Sequence, residues 1–367
     1  MFSSRLVGNG LKKAPGRVLE LRRGIVTSDD VDNARKYCAT QLKNSDHDAY
    51  LIRQFIPRPA QNAYDALRTL NLELARLPET VSNPTIAKIR MQFWRDTVIN
   101  VFAGSPSREP ISILLDSSVR ELTRRFGPAG ASSLKFWLLR FINTRERHME
   151  NKPFVSLAAL EDYAEGTYAT LMYMTFAAMG LQSVYMDHLA SHIGKAYGIV
   201  ATLRGIPVLA APSQPIKGPS GVQLGNTRSP ALLLPLDIMA DAELREEDVF
   251  RYGPKAAGLQ DAVFQVATRA NDHLITAREM LKNLRSGQAP SHDYEHEGEA
   301  EHAYSTEARS LEGVEADIQY GFGVLMEAVA AQDYLKRLET ANFDPFKVKH
   351  SWKLPWELWH AAKNDQI

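Results

Sequence analysis

The chain has 367 residues, 44% hydrophobic and 23% charged, the make-up of a globular protein able to bury a core and not of a disordered or disulfide-stapled one. Its 43 basic and 43 acidic residues cancel, which argues against attraction of nucleic acid by a strongly basic field. Cys38 is the only cysteine, so neither an internal disulfide nor a cysteine-based zinc site can form.

At the N-terminus, Arg5, Lys12, Lys13, Arg17, Arg22 and Arg23 stand against Glu20 alone. Phe2, Leu6, Leu11, Val18 and Leu21 are interspersed with them, giving the basic, acid-poor, amphipathic composition of a mitochondrial presequence over residues 1–28. Gly8, Asn9, Gly10, Lys12 and Lys13 interrupt any continuous apolar stretch, so a secretory signal is not expected. A lead-in follows over 29–45, in which Asp29, Asp30 and Asp32 suit a helix start, where acids meet the positive end of the dipole.

From Asp46 onward the apolar period is helical. Tyr64, Leu67, Leu70, Leu74 and Leu77 draw one stripe that Pro78 should stop. Ile86, Ile89, Phe93, Val98 and Val101 predict a second helix, with Pro84 in its first turn. Residues 157–178 read as one long buried helix. Leu189, Ile193, Ala196, Val200 and Leu203 predict another, ended by Pro207. Val263, Val266, Ala270, Leu274, Ala277, Leu281 and Leu284 form a further stripe, as do Leu311, Val314, Ile318, Phe322, Leu325 and Val329.

Two segments break the pattern. Prolines and glycines mark 211–230 as an extended surface loop, and the acidic stretch 287–313 reads as an insertion between helices. Strand-type alternation is scarce, and no stretch reaches the ~20 apolar residues of a membrane span. A single all-α domain is therefore expected over 46–340. The tail, 341–367, interleaves Phe343, Phe346, Trp352, Trp356 and Trp359 with Lys347, Lys349, His350 and Lys353, a composition suited to a membrane surface or a partner.

Signatures of chemistry are missing. His292, His296 and His302 lie among glutamates, but Ala300 follows four residues after His296, so the paired histidines of a zinc protease are lacking. Neither a phosphate-cradling glycine loop nor a serine-nucleophile elbow is present. The expectation is no catalytic residue, no metal and no cofactor.

One ordered set of segments is informative. It comprises Tyr163-Ala164-Glu165-Gly166-Thr167-Tyr168, the helix from Ala190 through Arg204 to Pro207, and Leu234-Pro235-Leu236-Asp237, with Phe55-Ile56-Pro57 upstream. Over about residues 46–340 this set resembles the squalene/phytoene synthase family, which implies a single isoprenoid-synthase-like helical domain. Active members join two prenyl diphosphates, and the departing diphosphate needs magnesium held by several carboxylate oxygens. The resemblance places the family's two aspartate pairs on facing helices. Here the first pair falls on Asn71 and Ala75, and the second, after Arg204, on Gly205 and Leu209. Glu73 lies between the first two positions and reads as a cavity or surface polar group.

The closer resemblance is to the family's non-catalytic branch, the mitochondrial complex I assembly factors of the assembly factor 6 type. It is carried by Asn71-Leu72-Glu73-Leu74-Ala75-Arg76-Leu77, Met91-Gln92-Phe93-Trp94-Arg95 and Ala190-Ser191-His192-Ile193-Gly194-Lys195-Ala196. It implies a non-catalytic binding protein, acting early in biogenesis of NADH:ubiquinone oxidoreductase at the matrix side of the mitochondrial inner membrane. The implied partners are complex I subunits or assembly intermediates, with peripheral inner-membrane contact and no nucleic acid. The alternatives are a magnesium-dependent prenyl diphosphate synthase with rearranged acids, and a lipid or quinone carrier. Tyr64, Asn71, Tyr163, Tyr168 and Arg204 are expected nearest a vestigial pocket, and each is equally accounted for as a satisfied polar group of the core.

Overall fold

A computed structural model describes residues 26–81, 83–211, 229–290 and 311–367. Nearly all of the expected presequence, most of both expected loops and the three histidines of the acidic insertion lie outside the described residues. The first helix, α1 (Ser28–Ser45), opens on a capping box in which Thr27 and Asp30 exchange hydrogen bonds, satisfying backbone donors the first turn leaves free. Asp29 and Asp30 occupy that turn, the helix-start role read from the sequence. Ala34, Cys38 and Leu42 are buried, so the lead-in is packed structure; burial pushes the Cys38 thiol up to about 12, leaving it inert as a nucleophile.

The remaining helices are α2 (His47–Ile52), α3 (Arg58–Thr80), α4 (Pro84–Phe102), α5 (Pro110–Arg147), α6 (Leu157–Ala164), α7 (Thr170–Met179), α8 (Val184–Leu209), α9 (Leu236–Asp241), α10 (Glu246–Tyr252), α11 (Leu259–Arg285), α12 (Val314–Leu325), α13 (Glu327–Thr340) and α14 (Leu354–Asn364). No strand occurs among the described residues. α1, α3, α4 and α7 gather around α5, whereas α6, α11, α12 and α13 gather around α8. α7 touches both groups and is buried nearly all round, as a central helix must be.

Three expectations need correction. Pro78 and Pro207 do not end their helices, which run on to Thr80 and Leu209; each lies in the last turn, where the proline forfeits one hydrogen bond to the carbonyl four residues back and only two helical residues follow it. The first half of the α4 stripe is out of phase: Ile86, Ile89 and Phe93 are exposed, with Ala87, Met91 and Trp94 on the inner face, whereas Val98 and Val101 are buried as expected. Apolar residues surround that helix, so periodicity alone does not fix which face turns toward α5. The expected long helix over 157–178 is also interrupted: a five-residue π-helical segment, Glu165–Ala169, joins α6 to α7. The α11 stripe, by contrast, is buried at every position named.

Candidate functional site

The π-helical segment is held from α8. Glu165 accepts hydrogen bonds from Tyr173 Oη at 2.5 Å and Ser191 Oγ at 2.7 Å, with Lys195 Nζ at 3.8 Å. Gly194 and Gly198 let α8 approach this closely: a Cβ on Gly194 would lie 2.3 Å from Ala169 Cα, and one on Gly198 2.5 Å from Ala164 Cβ. The segment 190–196 is therefore a clasp. Its glycine admits the neighbouring backbone, its serine and lysine address Glu165, and His192 Nδ1 lies 3.1 Å from His273 Nδ1.

Tyr168 is itself part of the π turn. The Tyr168 ring lies 5.5 Å below the Arg145 guanidinium, which also covers Tyr163 at 5.5 Å and Phe141 at 5.6 Å. Arg145, at the end of α5 and 7% exposed, donates from Nη1 to Tyr163 Oη and from Nη2 to Asn71 Oδ1. One buried cation thus links α3, α6 and the π turn.

On its other side Tyr168 meets Tyr197 with ring centroids 5.4 Å apart. Tyr197 lies beneath two more guanidinium groups, Arg68 at 5.5 Å and Arg204 at 5.7 Å. Arg68 is fully buried and donates to Asp46 at 2.8 Å and Glu327 at 2.9 Å. Arg204 pairs with Asp48, donates to the Ala330 carbonyl at 3.3 Å, and covers Tyr334 at 4.9 Å. Burial works against the Arg68 charge, but Asp46 and Glu327 more than offset it and hold the pKa well above the usual arginine range. Burial pushes the Glu327 carboxyl up to about 7 despite Arg68 beside it. Both Tyr64 and Tyr197 are held in the phenol form by burial.

Of the five residues expected together, Asn71, Tyr163, Tyr168 and Arg204 join one network through Arg145 and Tyr197. Tyr64 donates to the Ala49 carbonyl at 3.3 Å and interacts electrostatically with Arg68, Glu327, Asp46 and Tyr197 of the same cluster. Arg68, Arg145, Tyr197 and Glu327 are absent from the sequence expectation. Arg68 and Glu327 leave a signal, a charge embedded in an apolar run, since a buried charge must be paired. Arg145 leaves none, because its partners are 74 and 18 residues away along the chain.

The donor set does not fit magnesium. A hard divalent cation wants several carboxylate or water oxygens. At the four positions where the family resemblance expects aspartates, Ala75, Gly205 and Leu209 offer no side-chain oxygen, and the remaining Asn71 amide oxygen faces a guanidinium. Arg204 turns toward Asp48. No group of three or more His, Cys, Asp or Glu among the described residues could hold a metal.

The squalene/phytoene synthase family model matches residues 42–291. A rat protein named NADH dehydrogenase (ubiquinone) complex I, assembly factor 6 is 30% identical over 334 residues, covering 90% of this chain and 82% of its own length. The human protein of that name is 29% identical over 84% of this chain and 75% of its own, and a Dictyostelium discoideum homolog is 23% identical over 93% and 80%. Among solved structures, a dehydrosqualene synthase in complex with ligand superposes with a TM-score of 0.60 at 11% identity, covering 92% of this chain and 98% of that one. Squalene synthase HpnC from Alicyclobacillus acidocaldarius gives 0.57 at 11% identity over 87% and 98%. At that identity the likeness is one of fold.

Proposed function

The chain belongs to the squalene/phytoene synthase family, and from that membership we propose that it is a mitochondrial assembly factor for respiratory complex I, a non-catalytic binding protein on a synthase scaffold. The observation that carries the non-catalytic part is the Arg145–Asn71 contact. Where a synthase would need carboxylates to hold a dication around a leaving diphosphate, a fixed monocation has been packed against the only polar side chain left. The names of the relatives support the assembly role. Its site of action is the matrix side of the inner membrane, its partners are complex I subunits or assembly intermediates, and its membrane contact is peripheral. No helix among the described residues is long and apolar enough to cross a membrane.

The test is a deletion strain whose respiratory complexes are resolved by native electrophoresis. Assembled complex I should be lost while the other complexes persist, and the full chain should restore it. Unchanged complex I in the deletion strain would overturn the proposal.

A further inference from the structure

The C-terminal helix has two unlike faces. Leu354, Leu358 and Ala361 are buried, and they hold α14 against α13 and α2. The opposite stripe is Trp352, Trp356, Trp359 and Lys363, spaced four, three and four, and its tryptophans are 75%, 63% and 48% exposed. The chain's other two tryptophans, Trp94 and Trp137, are 7% and 3% exposed. Three bare indoles, Trp352 just ahead of α14 and Trp356 and Trp359 on it, are therefore a local feature and not a habit of this fold.

The charges around the stripe are mostly basic. Lys353 Nζ stands 5.7 Å from the Trp352 ring and Lys363 Nζ 5.2 Å from the Trp359 ring. Beside Trp352 a cleft of about 640 Å³ is lined by Lys336, Lys347, Lys349, His350 and Lys353, with Asp333, Glu357 and Arg337 as its other charged groups. Asp333 is already satisfied by Arg337 at 2.7 Å and by Ser351 Oγ at 2.8 Å, and Lys347 pairs with Asp344. That leaves Lys336, Lys349, Lys353 and His350 with no salt bridge among the described residues. Between Trp352 and Lys363 the only acid is Glu357, which is half-buried and faces the cleft.

We propose that the Trp352–Trp356–Trp359 stripe and the lysine cleft beside it form a docking surface for an anionic phospholipid bilayer. The indoles enter the headgroup layer and the cleft takes a lipid phosphate. Tryptophan is the side chain that partitions to that layer, and lysines on long apolar stems reach back from it to the phosphates. A protein-binding hot spot would instead favour arginine and deplete lysine, whereas the cleft's side chains of fixed positive charge that lack a salt bridge among the described residues, Lys336, Lys349 and Lys353, are all lysines. The inference deepens the peripheral membrane contact in the proposed function and rests on that reading for its setting, although the surface itself is tested without complex I.

The experiment uses the full chain and vesicles of phosphatidylcholine, with or without part of it replaced by phosphatidylglycerol. Expected are sedimentation with the anionic vesicles only, release by salt, and a blue shift of tryptophan emission. Trp356→Ser with Trp359→Ser, and separately Lys349→Glu with Lys353→Glu, should each weaken vesicle binding by about tenfold or more. Far-ultraviolet dichroism and melting should not change, because all four side chains are exposed. Equal binding to both vesicle types, no binding to either, or wild-type binding by the two double variants would each overturn the inference. A chain that passes here but is dispensable for complex I fails the assembly reading alone.

Discussion

The Arg145 guanidinium donates to the side-chain oxygen of Asn71, 74 residues earlier in the chain and on a different helix. The same group donates to Tyr163 and is stacked over by Tyr168. Removing it strands two buried oxygens and opens a void between α3, α6 and the π turn. Arg145→Ala should therefore destabilise the fold by about 2–4 kcal/mol. Arg145→Lys, which keeps the charge but not the two-pronged donor, should recover only part of the loss. Denaturant unfolding of the two variants checks both.

Asn71→Asp tests the same contact from the other side. A carboxylate against the guanidinium makes a charge-assisted hydrogen bond, so the variant should be as stable as the parent or about 1 kcal/mol more so. Magnesium should leave the Tm of both proteins unchanged, because one carboxylate facing an arginine is no octahedral site. A magnesium-dependent rise in Tm for the parent chain would contradict this account of the site.

Glu327 should make stability depend on pH. Its folded pKa, about 7, lies above the ordinary 4.5 because burial disfavours the carboxylate. A raised carboxyl pKa stabilises the fold fully below the ordinary value, and the contribution is lost as pH rises through the folded value. Relative to Glu327→Gln, the parent should thus lose stability between about pH 5 and about pH 8, by at most about 3 kcal/mol. Thermal melts of the pair across that range check it; a difference that stays constant with pH would refute it.

Two glycines of α8 should respond oppositely to alanine. At Gly194 a methyl group meets the Ala169 backbone at 2.3 Å, so Gly194→Ala must push α8 off the π turn and should cost about 3 kcal/mol. At Gly205 it meets only Leu209 Cδ1, at 3.3 Å. There the helix preference of alanine should leave stability unchanged or raise it by up to about 1 kcal/mol. Thermal unfolding of the two variants separates close packing from propensity.

How much of this could be read from the sequence depends on where each signal resides. The α11 stripe was legible because its apolar residues keep to one face, and so was the α1 start, because Thr27 and Asp30 are neighbours in the chain. The rotation of α4 was not, since Ile86, Ile89 and Phe93 compete with Ala87, Met91 and Trp94 for the same core. The π turn escapes any 3.6-residue count, because one extra residue shifts the phase midway through an unbroken apolar run. Of the network, Asn71, Tyr163, Tyr168 and Arg204 could be named from the family resemblance. Arg145 and Tyr197, which join them, are set by tertiary packing alone.

The most direct test of the central claim is to incubate the purified chain with farnesyl diphosphate and magnesium and follow pyrophosphate. The account predicts no release above the protein-free control at any substrate concentration. Release that saturates with substrate and stops on chelation of the metal would contradict it.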